Sequence, residues 1–175
     1  DQYQRQDKES IFLQSLKEPK KKYSWGDVYL NINKLSEEIS KYIKRGDRCL
    51  LVSENRPEWM IADLSIMLSG GITVPAYTTY SERDYEYIID DCTPTILIIS
   101  DKTQFEKIKN IIPKKEFIKK IICFEHIDDF NKELYLETNE IFNKDNCNYL
   151  NFLDLKIQRK DVACIIYTSG TQGNP

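Results

Sequence analysis

The sequence lacks the metal-binding motifs, the long apolar runs and the basic excess that mark several common classes of protein. It contains no Cys-x-x-Cys pair, and its single histidine, His126, has no histidine cluster with which to form a zinc site. Its longest apolar runs, such as 61–68, are broken by Asp63 and Ser65 and are far shorter than the roughly 20 residues of a membrane span. Lys and Arg total 25 against 28 Asp and Glu, which gives a net charge of -3. We therefore expect no metal site, no transmembrane segment and no nucleic-acid partner.

The five cysteines are widely spaced, which indicates reduced thiols in a cytoplasmic protein. Four of the five lie in apolar or strand-like surroundings and are expected to pack as small hydrophobic side chains: Cys49, Cys92, Cys123 and Cys164. Cys147 lies in a polar stretch and is expected to be exposed. Because the chain begins at Asp1 without a Met or the apolar core of a signal peptide, we interpret it as a segment of a longer protein.

Alternating strand and helix patterns run along most of the chain and predict an α/β fold. Ser24 and Asp27 resemble a capping box, and apolar residues then recur at helical spacing as far as Gly46. Further helices are predicted over 58–68, from Ser81 onward and over 102–111. Strands are predicted at 48–53, 72–74, 95–100, 120–124 and 162–167, and the first and last of these are expected to be buried. The expected architecture is one domain with a largely parallel sheet and helices on both faces.

Two stretches do not follow this alternation. Residues 11–16 and 21–24 flank a charged link that contains Pro19, and they predict a hairpin of two short strands. The stretch 128–160 is rich in Asn, Asp, Glu and Lys, so we expect short helices and loops there.

The signal for chemistry lies where the last predicted strand ends. Hydroxyl residues and two glycines follow, and they can direct backbone N–H groups and hydroxyls at one anion: Thr168, Ser169, Gly170, Thr171, Gln172 and Gly173. The loop is not a P-loop, because Asn174 and Pro175 stand where Lys and a hydroxyl residue would follow. No Gly-x-Gly-x-x-Gly dinucleotide motif occurs either. From these residues alone a phosphate cradle is one interpretation, and an ordinary loop is the commoner outcome of such a turn.

The nine residues 167–175 resemble the signature Tyr-Thr-Ser-Gly-Thr-Thr-Gly-x-Pro-Lys-Gly of AMP-forming adenylating enzymes. Eight of the nine positions fit, and Gln172 stands where Thr is usual. The resemblance extends in order to the earlier segments 46–48, 55–59 and 70–75. Within the family, residues 53–59 and 74–78 are most similar to long-chain fatty-acid-CoA ligases. The chain therefore resembles the opening segment of an AMP-forming acyl-CoA synthetase.

This resemblance implies a partial N-terminal subdomain of the adenylate-forming fold, in which residues 1–175 form the first part of the AMP-binding domain and end inside its phosphate-binding loop. The implied parent enzyme activates a long-chain fatty acid with ATP and Mg²⁺ as an acyl-adenylate and then transfers the acyl group to coenzyme A. Residues 168–173 would contact the ATP phosphates. The family's adenine pocket, catalytic Lys and C-terminal domain follow later in its sequences. We therefore assign no catalytic residue and expect the segment alone to be inactive and to expose apolar surface that favours self-association.

Several other interpretations remain open. The acid could be an aryl or amino acid instead, and the chain could be a stand-alone nucleotide-binding or interaction module. The lysines of 102–120 make peripheral membrane contact an alternative interpretation. The interleaved Glu and Ile residues favour a solvated helix face instead. Glu54, Asn55 and Arg56 follow a strand at the edge where ligands bind in open sheets, but a turn and helix-capping role is favoured. His126 is interpreted as a loop residue without a function.

Overall fold

The chain alternates strands and helices in the order that its apolar patterning predicts. The computed structural model describes residues 2–128, 133–148 and 157–168. The strands are β1 (Ile11–Gln14), β2 (Lys22–Ser24), β3 (Arg48–Val52), β4 (Ile72–Ala76), β5 (Ile96–Ile99), β6 (Lys120–Cys123) and β7 (Tyr135–Glu137). The helices are α1 (Gln2–Arg5), α2 (Trp25–Ser40), α3 (Pro57–Leu68), α4 (Glu82–Cys92), α5 (Lys102–Ile108) and α6 (Thr138–Phe142), with a 3-10 turn at Ile112–Lys114. Five strands form a parallel sheet in the order β4-β3-β5-β6-β7.

Alternate residues of the strands supply two apolar layers, one on each face of the sheet. On one face Leu50 and Val52 pack with side chains of α4 and α5. On the other face Cys49 and Leu51 pack with side chains of α2, α3 and α6. Because β3 and β5 are covered on both sides, their sequences are continuous apolar runs rather than alternating ones. The predicted parallel sheet with helices on both faces is confirmed.

Residues at the first turn fix where three of the helices begin. Ser24 before α2 and Ser81 before α4 each form a complete capping box, with Asp27 and Asp84 respectively. α3 begins at Pro57, because the first turn of a helix does not need the N–H that proline lacks. The predicted starts of these helices are confirmed.

Two glycines turn the chain from α3 into β4. Gly70 has a φ of +79°, a region that favours glycine. A Cβ at Gly71 would lie 2.9 Å from Cδ1 of Ile43 and 3.0 Å from Cγ2 of Ile66. The pair therefore lets the chain reverse tightly against the α2 side of the core, which places β4 beside β3.

The hairpin and the polar stretch differ in how well the sequence predicts them. β1 and β2 pair antiparallel, as expected. Within 128–160 the short helix α6 was expected, but β7 was not. β7 has three residues, which is too short for a periodic signal, and its pairing with β6 and the burial of Tyr135 define it instead.

The prediction of a buried strand at 162–167 is wrong. The segment forms a single parallel bridge, between Cys164 and Thr73 of β4. Val162 and Ile166 are 57% and 62% exposed. The segment is therefore an exposed strip along the edge of the sheet.

Pro75 supplies the physical reason for this short pairing. The N–H of Thr73 donates to the carbonyl of Ala163 at 3.1 Å, and the N–H of Ile165 donates to the carbonyl of Thr73 at 2.9 Å. Alternation along β4 makes Pro75 the next residue whose backbone faces this segment. Proline has no N–H, so the ladder cannot continue through it.

Two of the cysteine predictions are wrong, those for Cys147 and Cys164. Cys49, Cys92 and Cys123 are buried, as expected, and burial raises the pKa of each thiol. Cys164 is exposed because it lies on the edge strip, and Cys147 is partly buried rather than exposed.

Candidate functional site

An open cleft of about 390 Å³ lies at the carboxyl ends of β3 and β4. In open α/β sheets, ligands bind at this edge because the strands end there and their connecting loops meet. Residues 53–55 with Trp59 form one wall, and residues 75–78 form the other. Ile166 and Tyr167 complete the lining. The cleft thus combines apolar and aromatic walls with strand-end polar groups.

The edge strip brings Thr168, the first residue of the predicted phosphate loop, to the same edge as this cleft. It runs parallel to β4, so Thr168 emerges at the carboxyl edge, where it is exposed. Thr168 is the one residue of the predicted cradle that the structure describes. The other five, Ser169, Gly170, Thr171, Gln172 and Gly173, lie outside the described residues.

The loop between β4 and α4 is fixed through two of its carbonyl oxygens. The Tyr85 hydroxyl donates to the carbonyl of Tyr77 at 2.7 Å, and the Lys107 ammonium donates to the carbonyl of Thr78. The ring of Tyr80 packs edge-to-face against Tyr77 and Tyr85, with centroids 5.4 and 6.0 Å away. Burial raises the pKa of Tyr85, which keeps its hydroxyl a donor. This wall of the cleft is therefore held in place from within the fold.

The strand-end residues Glu54, Asn55 and Arg56 all line a small cavity between β3 and β5, but only two of them also reach the open cleft. Glu54 and Asn55 line the cleft, and Glu54 accepts a long hydrogen bond of 3.4 Å from Gln104. Arg56 occupies the N-cap position of α3, but its side chain makes no capping hydrogen bond. The predicted helix-capping role is therefore wrong for the Arg56 side chain.

Ion pairs hold the Arg56 guanidinium instead. It donates to Glu58 at 2.9 Å and to Glu125 at 2.7 Å. Its carbon lies 5.6 Å from the centroid of the Phe124 ring, within reach of a cation-π contact. Arg56 thereby joins the start of α3 to the end of β6.

Glu58 is a buried acid that the sequence analysis missed. It is 3% exposed, accepts from the Tyr23 hydroxyl at 2.9 Å and pairs with both Lys21 and Arg56. Burial alone would raise the pKa of Glu58, but hydrogen bonds from Lys21 and Arg56 lower it to about 2. The acid therefore ties the β1–β2 hairpin to the first turn of α3. The sequence gives no signal for this role, because an acid in the first turn of a helix is common.

The other half of the carboxyl edge, between β3 and β5, is closed. The strand order reverses at this point, which is where a ligand crevice is expected in such sheets. The cavity there measures only about 70 Å³. Its charged lining residues are Lys17, Glu18, Lys21, Glu54, Arg56, Glu58, Asp101 and Glu125. The hairpin and the ion pairs fill the crevice.

His126 lies at the exposed end of the same edge. Its ring contacts Glu137 through Nδ1 and Asp128 through Nε2, the latter at 3.1 Å. The hydrogen bond that the ring makes to Glu137, and after it the one to Asp128, raise the pKa of His126. Within the described ranges, no three His, Cys, Asp or Glu side chains are grouped so that they could hold a metal ion.

The lysines of 102–120 mostly bind partners within the protein. Three donate to backbone carbonyl oxygens and two pair with acids: Lys107 with Thr78, Lys119 with Glu116, Lys120 with Glu133, Lys109 with Glu106, and Lys115 with Asp90. This pairing supports the solvated-face interpretation. Among the helices that the structure describes, none has the length and apolar character to cross a membrane.

Taken together, the fold and the cleft define an α/β protein with its candidate ligand site at the carboxyl edge of a parallel sheet. The sequence profile described as AMP-binding enzyme matches residues 1–175. The chain belongs to this family, which confirms the resemblance drawn from the terminal motif.

Relatives with known names support the same placement. The chain is 28% identical over 156 residues to the long-chain-fatty-acid-CoA ligase ACSBG1 of Bos taurus, covering 87% of this chain and 22% of the relative. It is also 28% identical over 167 residues to long chain acyl-CoA synthetase 4 of Arabidopsis thaliana, covering 88% of this chain and 24% of the relative. The chain thus spans less than a quarter of the length of either relative, at 22% and 24%.

Solved structures share the fold. The anthranilate CoA ligase AuaEII, in complex with anthranoyl-AMP, superposes with a TM-score of 0.73 at 22% identity, over 90% of this chain and 29% of that one. A mutant form of coronafacic acid ligase from Pectobacterium brasiliense gives a TM-score of 0.76 at 19% identity, over 91% of this chain and 30% of that one. At these identities the likeness shows the fold alone.

Proposed function

We propose that the protein is an ATP-dependent ligase that activates a long-chain fatty acid as an acyl-adenylate and transfers the acyl group to coenzyme A. This chain would form the N-terminal part of its AMP-binding domain, with residues 168–173 as the triphosphate-binding loop. One observation carries the proposal: the edge strip runs parallel to β4 and brings Thr168 to the carboxyl edge beside the cleft. The named long-chain relatives support the choice of acid.

The composition of the loop suits this reaction. An oxygen of the carboxylate attacks the α-phosphorus of ATP, which enters as its magnesium complex, and the bond to pyrophosphate breaks. The thiol of coenzyme A then forms a thioester with the acyl carbon, and AMP leaves. Such transfers depend on positioning and charge neutralisation more than on covalent side-chain chemistry. Hydroxyls at Thr168, Ser169 and Thr171 and backbone N–H groups at Gly170 and Gly173 can provide both.

The test is ATP-pyrophosphate exchange by the full-length gene product with a panel of long-chain fatty acids, aryl acids and amino acids. The proposal predicts exchange with the fatty acids. Exchange confined to aryl or amino acids would keep the adenylating chemistry and replace the substrate. No exchange with any acid would contradict the ligase and leave the alternative of a nucleotide-binding or interaction module.

A further inference from the structure

The backbone alone does not hold the edge strip as far as Thr168. The last hydrogen bond between the strip and β4 is the one from the N–H of Ile165 to the carbonyl of Thr73, at 2.9 Å. The next residue of β4 that faces the strip is Pro75, which cannot donate. The chain therefore leaves the ladder before it enters the predicted phosphate loop.

A side chain holds the chain beyond that point. The Tyr167 hydroxyl donates to Oδ2 of Asp91 in α4 at 2.5 Å. The Tyr167 ring packs edge-to-face with Tyr87 of the same helix, with centroids 6.4 Å apart, and lies against the apolar core of that face. Burial, and then the hydrogen bond to Asp91, raise the pKa of Tyr167, so the hydroxyl keeps its proton. Tyr167 directly precedes Thr168, so this contact is the last described anchor before the loop.

Asp91 occupies a position that helix stability does not favour. It lies in the last turn of α4, where the helix dipole disfavours negative charge. Its neighbour Asp90 is paired with Lys115. At the end of α4, the Arg48 guanidinium donates a hydrogen bond to the carbonyl of Cys92 at 2.7 Å. The hydrogen bond from the Tyr167 hydroxyl stabilises the Asp91 carboxylate and offsets its unfavourable interaction with the helix dipole.

We propose that Asp91 and Tyr167 are positioning residues for ATP: their hydrogen bond replaces the backbone pairing lost at Pro75 and sets the direction in which residues 168–173 leave the sheet. This inference rests on the proposed function. Neither residue needs to touch the nucleotide, because both act by holding the segment from which the loop projects.

Kinetics of the full-length gene product test the role. Tyr167→Phe and Asp91→Ala are expected to raise the KM for ATP about fivefold to tenfold, with the KM for the fatty acid within twofold of its original value. Asp91→Asn keeps an acceptor oxygen and should restore part of the ATP affinity. Tyr87→Phe keeps the ring contact, and Asp90→Ala removes a charge from the same helical turn, so both serve as matched controls with an unchanged KM for ATP.

An unchanged KM for ATP in Tyr167→Phe and Asp91→Ala would overturn the proposal, as would an equal rise in the KM for both substrates. Hydrogen exchange in the absence of nucleotide gives a second readout that does not depend on activity. Amides of 168–173 should exchange at least fivefold faster in both variants than in the parent protein and in Tyr87→Phe. Equal exchange in all four proteins would overturn the positioning role. If the parent protein adenylates no acid, the proposed function fails, and the exchange comparison still decides whether Tyr167 orders the loop.

Discussion

The two halves of the carboxyl edge of the sheet differ in what fills them. Between β3 and β4 there is an open cleft of about 390 Å³, walled by strand-end loops and tyrosine rings. Between β3 and β5 the cavity is about 70 Å³ and is occupied by charged side chains and the N-terminal hairpin. The reversal of strand order falls in the closed half. Topology alone would therefore predict the ligand site in the half that the ion pairs around Glu58 fill, whereas the candidate cleft lies in the other half.

The largest expected effect concerns the loop beside the open half. Replacing Thr168 and Thr171 together by Ala should lower kcat/KM for ATP about 100-fold or more, because each lost hydrogen bond to a charged phosphate costs roughly 1.5 to 3 kcal/mol. Steady-state kinetics of the full-length gene product measures it. Thr79→Ala is the matched control, since Thr79 is an exposed threonine in the β4–α4 loop at the same edge. A change of less than threefold in kcat/KM for ATP in the double variant would contradict a role of the loop in ATP binding.

The second prediction concerns the ion pairs that Glu58 makes in the closed half. Glu58→Gln keeps the shape of the side chain but leaves Lys21 and Arg56 without their buried counter-charge. Removing one partner from a buried ion pair costs about 3 kcal/mol or more in free energy of unfolding. Urea unfolding should show this loss, whereas Glu54→Gln, with only its 3.4 Å contact to Gln104, should stay within about 0.5 kcal/mol of the parent. Equal stabilities for the two variants would contradict the assigned role of the ion pairs.

The pH dependence of stability gives a further test of the ion pairs around Glu58. The pKa of Glu58 is lowered from 4.5 to about 2, so its contribution to stability is fully present above pH 4.5 and is lost as pH falls through 2. The corresponding loss is about 3 kcal/mol, from about 1.4 kcal/mol for each pKa unit. Urea midpoints measured between pH 5 and pH 2 should therefore fall more steeply for the parent protein than for Glu58→Gln. Parallel pH profiles would show that Glu58 is not the titrating group.

The smallest expected effect lies in the wall of the open half. Tyr85→Phe removes the hydrogen bond to the carbonyl of Tyr77 and should lower the free energy of unfolding by about 1 kcal/mol. Tyr80→Phe keeps both of its ring contacts and should change that energy by less than about 0.5 kcal/mol. Urea unfolding of the two variants side by side measures the difference. A larger loss of unfolding free energy in Tyr80→Phe than in Tyr85→Phe would contradict the role assigned to the Tyr85 hydrogen bond in holding the β4–α4 loop.

Local chemistry made much of the fold predictable. The capping boxes at Ser24 and Ser81, Pro57 at the start of α3, and the continuous apolar runs of β3 and β5 each act through neighbouring residues, so the sequence displays them directly. The same holds for the α/β class, which follows from the alternation of these elements.

Features that depend on distant partners could not be read in this way. The pairing of 162–167 stops early because Pro75 faces that segment, and this becomes visible only once the edge order of the sheet is known. Glu58 looks like an ordinary helix residue until Lys21 and Arg56 are brought to it. The proposed phosphate role of 168–173 rests on a family resemblance, and the structure adds only the edge at which Thr168 emerges.

Hydrogen exchange of the full-length gene product with and without magnesium-ATP tests the central claim most directly. If the open half of the carboxyl edge binds the triphosphate, amides of 165–173 and 76–80 will exchange more slowly with ATP, and those of the hairpin at 11–24 will not change. Unchanged exchange in 165–173, or protection confined to the hairpin, would contradict the account.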